Sequence, residues 1–234
     1  MGGAPPLTTR PPSRFGVWGT GPPAAQPRRV RHNPANTELR AAFERGELPC
    51  CVVHGSRPVL KWSVQPALLD HAHYLTVFAS GLREVEFPYS FFAETGFLDV
   101  LKVTPPEKLP GIIPALILSL RAAVNTRIPE VMTRAISVIV ALSSIGAPPG
   151  GARARMGTPV GRALLPFYRQ LLPVFNLYAN TDLNLGDGID YGQRFDRDLG
   201  GKVAQTLRML DLTGGPDAYL NILYSVPTYS REID

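Results

Sequence analysis

Few residues of this chain are of the types, at the spacings, that do covalent or metal chemistry. His71 and His73 stand two positions apart, which on a helix turns them about 200° from each other, so they cannot grip one zinc ion as an i, i+4 pair does. His32 and His54 fall in a tail and a turn, and no Cys-x-x-Cys, HExxH, GxSxG or P-loop pattern occurs. Cys50 and Cys51 are neighbours, a pairing that would strain the peptide between them, and read as two reduced thiols in a reducing compartment. No nucleophile or metal centre assembles from these residues, and the expectation is a protein without enzymatic activity or cofactor.

Two other groups of residues suit binding. In Gly186-Asp187-Gly188-Ile189-Asp190-Tyr191 two carboxylates lie among glycines. Calcium would need further oxygen ligands at fixed offsets and a closing Glu, where Arg194 and Arg197 stand instead. Two readings stay open: the glycines make tight turns while Asp190 caps or braces the next helix, or Asp187, Asp190 and Tyr191 form a partner-binding loop anchored by the aromatic ring. The second group is the amino-terminal set Arg10, Arg14, Phe15, Trp18, Arg28, Arg29 and Arg31. With Arg40 and against a single acid, Glu38, these arginines match the whole formal net charge of +5. The basicity therefore belongs to a tail and not to a folded face, which implies an extended acidic surface as partner, while composition alone favours a solvated linker and a nucleic-acid arm stays open. Phe15 and Trp18 are the apolar anchors by which such a tail would dock in a groove.

The elements that must carry these residues divide the chain in two. Residues 1–34 hold eight of the 24 prolines, several of them paired, and expose too little apolar surface to offset ordering entropy, so the segment reads as an extended or disordered tail. Residues 35–234 read as one helical domain. Asn36 or Thr37 caps a short helix through Arg45 with Leu39 and Phe43 on its buried face; Cys50–Val53 and Val59–Val64 suggest a β-hairpin; Asp70 caps a helix to about Val85. Pro88 at a first-turn position opens the next helix, ended by Pro105 and Pro106. Apolar residues recurring every three to four positions then predict helices over Leu109–Val124, Pro129–Ser144, the stretch from Ala163 to Tyr178, and the stretch from Val203 to Leu212. Ala147 to Thr158, rich in glycine and proline, reads as a surface loop. The apolar runs Ile112 to Leu120 and Val131 to Ile145 fall short of the roughly 20 residues that span a bilayer, so no membrane is expected.

Ile113-Pro114 through Asn125-Thr126 echoes Leu172-Pro173 through Asn180-Thr181, and an amphipathic helix follows each. Helix pairs repeating in this way predict an all-α fold, a short α-solenoid of HEAT or armadillo kind, with the hairpin as its minor β element.

Certain strings go beyond periodicity: Phe43-Glu-Arg-Gly-Glu-Leu-Pro49, Leu60-Lys-Trp62, His73-Tyr-Leu75, Phe87-Pro-Tyr-Ser-Phe-Phe92, Leu165-Pro-Phe-Tyr-Arg-Gln-Leu-Leu-Pro173, Gly186-Asp-Gly-Ile-Asp-Tyr191 and Val226-Pro-Thr-Tyr229. In this order they closely resemble the parkin co-regulated protein family. The tail before Asn33 does not match, and the loop from Ala147 to Thr158 is longer than the family's turn. The resemblance implies a helical-repeat protein of motile cilia and flagella, in the cytoplasm on the axonemal cytoskeleton, at the inner junction closing the B-tubule onto the A-tubule. It implies as partners α- and β-tubulin, cilia- and flagella-associated protein 20 and other microtubule inner proteins, and no cofactor. The rival reading is a soluble helical-repeat adaptor or chaperone-like protein that binds peptides or partner proteins.

Overall fold

The computed structural model describes residues 36–53, 58–147, 156–179 and 199–231. Over these the chain is mostly helical with one small two-stranded antiparallel sheet.

Helix α1 (Glu38–Glu44) starts where expected because the Thr37 hydroxyl accepts from the Arg40 backbone N–H at 3.2 Å. Its Leu39 is fully buried and occupies the space a side chain at Gly81 would need: a Cβ there would sit 2.9 Å from Leu39 Cβ. Phe43, expected on the buried face, is 38% exposed and lies instead edge-on to Tyr89 at the margin of the core. The hairpin forms from β1 (Cys50–Val53) and β2 (Val59–Trp62), registered Cys50 to Trp62 and Val53 to Val59. Trp62 ties it to the body through an Nε1–H donation to Asp99 Oδ2 at 3.2 Å and an edge contact with Phe78.

Helix α2 (His71–Ser80) is capped by Asp70, whose Oδ1 accepts from Ala72 and His73 N–H groups. The expected continuous helix to Val85 stops earlier, passing into a 3-10 turn over Gly81–Arg83. Pro88 serves as the cap and not the first residue of α3 (Tyr89–Phe91), which runs into a π-helical turn, Phe92–Gly96, and then α4 (Phe97–Val103). Gly96 lets the Phe78 ring approach; a Cβ there would lie 2.6 Å from it. The proline pair beyond Thr104 ends α4, as a chain without the needed N–H groups must.

Helices α5 (Leu109–Asn125) and α6 (Pro129–Ser144) are the central elements and the best forecast, each opened by proline in its first turn. Leu109, Ile113, Leu116 and Leu120 of α5 recur at three-to-four spacing and are wholly buried. At about 1.5–3 kcal/mol for each fully buried aliphatic side chain, that stripe is what holds α5 against its neighbours. These are α2, α6, α7 (Pro159–Leu164) and α8 (Tyr168–Phe175). Leu165–Phe167 is a 3-10 turn that absorbs Pro166, while Pro114 and Pro173, the echoed prolines, both lie inside helices. Helix α9 (Leu199–Thr213) packs along α6, and α10 (Ala218–Ser225), which the sequence pattern did not announce, closes the described chain against α8 and α9.

Candidate interaction surfaces

Every residue singled out from the sequence for binding lies outside the described residues: Arg10, Arg14, Phe15, Trp18, Arg28, Arg29 and Arg31 of the amino-terminal segment, and Asp187, Asp190 and Tyr191 of the glycine-rich string. Of the histidines, His71 faces its own approach turn, with Nε2 placed to donate to the Pro66 carbonyl at 3.2 Å, and His73 lies edge-on to Tyr74. Among the described residues no group of three or more His, Cys, Asp or Glu side chains is arranged to hold a metal ion, and no helix is long and apolar enough to cross a membrane. Cys50 is buried and its thiol is pushed up to about 12 by desolvation, while Cys51 faces out.

What the described residues do bring together are two constellations of arginine and aromatic rings. At the α1 end, Arg40 Nη2 meets the buried Glu84 Oε2 at 2.6 Å and the exposed Glu86 Oε2 at 3.0 Å, while its guanidinium stacks 4.3 Å from the Tyr89 ring centroid. Thr37 donates its hydroxyl to Glu84 Oε1 at 2.6 Å, so both oxygens of that carboxylate are held. The hydrogen bond to Glu84 raises the Arg40 pKa further above its ordinary value. Phe87, half exposed, lies beside Phe91 within the same Phe87-to-Phe92 string. Nearby in the interior, Arg134 of α6 is buried, which lowers its pKa despite the fields of Glu94, Glu130 and Glu84.

At the α10 end, Asp211 is 2% exposed and takes two donations from Arg231, Nε to Oδ2 at 2.9 Å and Nη2 to Oδ1 at 2.7 Å. The Arg231 guanidinium lies 4.1 Å from the Tyr219 ring, and its hydrogen bond to Asp211 raises its pKa. This clamp fixes the segment after α10 onto α9. On the outer side, Arg169 of α8 lies 5.3 Å from the Tyr224 ring of α10, and Leu220 stands one turn before Tyr224. Both α10 side chains are largely exposed, at 65% and 77%. The sequence carried a signal for neither constellation, since each joins residues distant along the chain.

A sequence model of the family described as Parkin co-regulated protein matches residues 37–231 of this chain. Parkin coregulated gene protein homolog of Mus musculus is 38% identical over 211 residues, which cover 89% of this chain and 82% of that protein.

Proposed function

This chain belongs to the Parkin co-regulated protein family, and from that premise we propose that it is a structural, microtubule-binding protein of the ciliary or flagellar axoneme, seated at the inner junction that joins the B-tubule to the A-tubule. The observation that carries the reading is the family match over residues 37–231, together with the family strings spread along that range. On this reading the helices act as a stiff brick of stacked pairs, of the HEAT or armadillo kind expected from the echoed segments, and the exterior performs the task. Its neighbours are α- and β-tubulin, cilia- and flagella-associated protein 20 and other microtubule inner proteins. The amino-terminal arginines supply attraction to acidic tubulin, and that attraction weakens as salt rises above about 0.1 M, where the Debye length shrinks below about 10 Å.

Co-sedimentation with microtubules across a salt series tests this. The full chain pellets at low salt and is released as salt rises, and a chain lacking Met1 to Pro34 binds several-fold more weakly. A deletion that leaves binding unchanged removes the role given to the arginines. A full chain that stays in the supernatant at every salt concentration favours the soluble adaptor reading.

A further inference from the structure

Helix α10 turns Ala218 and Ile222 into the core, where both are fully buried, and this inward face is what α8 and α9 require. Its outward positions one turn apart are Leu220 and Tyr224, 65% and 77% exposed, where a helix with no further partner carries polar residues. Tyr224 is not idle: the Arg169 guanidinium lies 5.3 Å from its ring centroid. Among the described residues Arg169 makes no hydrogen bond and no ion pair, so none of them takes its N–H donors. That edge is a fork whose geometry matches a carboxylate.

The described chain that carries Arg169 is basic. From residue 156 to residue 179, through α7 and α8, the chain carries Arg162 and Arg169, both exposed, and no acid. The acid nearest in sequence to this α10 face is Asp217, at the cap of α10. Tyr and Arg, here side by side and exposed, are among the residue types that dominate binding energy at protein interfaces.

We propose that the outward face formed by Arg169 of α8 with Leu220 and Tyr224 of α10 docks an acidic, glutamate-rich segment of a partner protein. A carboxylate takes the Arg169 edge, and an apolar side chain of the same segment lies over Leu220 and Tyr224. The docking rests on the exterior being an attachment surface, as under Proposed function, but it engages a different part of the chain from the amino-terminal arginines.

The test is fluorescence anisotropy of a labelled glutamate-rich peptide with one central leucine, titrated with the full chain at low salt. Binding saturates and weakens about tenfold with Arg169→Glu and several-fold with Tyr224→Ala, the size expected for loss of an interface anchor. Lys61→Glu, on the hairpin, makes the same charge change in an element that packs against the π-helical turn, and leaves affinity within about twofold. All three side chains changed are exposed or surface-edge groups, and thermal melts of each variant verify that it folds. Variant affinities indistinguishable from wild type, or an equal loss with Lys61→Glu, overturn the proposal. So does sedimentation showing a dimer that Tyr224→Ala dissociates, because the face then holds a second copy. Microtubule co-sedimentation of the same proteins separates the two readings: retained microtubule binding with no peptide site removes the docking face alone, and peptide binding without microtubule binding removes the axonemal reading alone.

Discussion

Glycine to alanine at two helical positions should act in opposite directions, and the structure sets the sizes. Gly161 in α7 sits where α7 meets the end of α9: a Cβ added there would lie 2.6 Å from the Thr213 carbonyl carbon and 2.9 Å from Thr158 Oγ1. The obstruction is backbone and a capping side chain, neither of which can swing aside. Relieving it moves α7 away from α9 and strains the Thr158 N–H bond to Thr213 O, 2.7 Å, and the Gly161 N–H bond to Thr158 Oγ1, 2.9 Å. Overpacking costs about 1–3 kcal/mol and each hydrogen bond about 1 kcal/mol, so Gly161→Ala should lose about 3–4 kcal/mol. At roughly 2–4 °C per kcal/mol for a chain of this size, the melting temperature falls by about 10 °C. Gly111 in α5 has nothing within 4 Å of an added Cβ and faces solvent, so Gly111→Ala gains about 0.5–1 kcal/mol of helix propensity. Circular dichroism melts of the two variants beside wild type decide it. A Gly161→Ala melt within about 2 °C of wild type, or a fall for Gly111→Ala as large as that for Gly161→Ala, refutes the reasoning.

Three further outcomes follow from Glu84 and the two cysteines. Glu84→Gln keeps the shape of the α1 network but removes the charge that Arg40 pairs with, at about 2 kcal/mol for a buried charge-assisted bond; hydrogen exchange should speed up selectively in α1, and exchange unchanged there would count against the network as its anchor. At pH 8 a thiol reagent should label the exposed Cys51 quickly and Cys50 far more slowly until denaturant is added, because Cys50 is buried and burial disfavours its thiolate. With the folded thiol raised from 9.0 to about 12, the unfolded chain alone ionises between those values, so stability falls as pH rises through that window and is unaffected below it. Cys50→Ala should flatten that alkaline decline, as read by denaturant melts at pH 8 and pH 10.5.

The elements legible in the sequence were those whose cause is local. Thr37 and Asp70 cap helices through side-chain oxygens within three residues, and proline at the first turn with a buried stripe behind it marks α5 and α6. The hairpin was readable because β-branched runs flank a short turn-forming string. The π-helical turn at Phe92–Gly96 was not, because it shifts the side-chain period by one residue, and the Phe78 ring that packs beside Gly96 comes from a distant part of the chain. Phe43 was expected inside from its i, i+4 spacing with Leu39, yet it finds its partner in the Tyr89 ring at the rim. The short helix α10 carries no pattern that marked it in the sequence, and it packs against α8 and α9. Neither arginine cluster could be foreseen, since Arg40 finds Glu84 and Arg169 finds Tyr224 only once the chain is folded. The residues chosen for binding from sequence fall outside the described residues, so the structure bears on the body they flank and not on them.

On the proposed reading this protein works by its outer surface, as a fixed part of the doublet wall. Electron cryo-microscopy of doublet microtubules from cells carrying a tagged copy tests it most directly. The account predicts tag density repeating along the seam where the B-tubule wall reaches the A-tubule; a tag absent from that seam while the protein is recovered in the detergent-soluble fraction would contradict it.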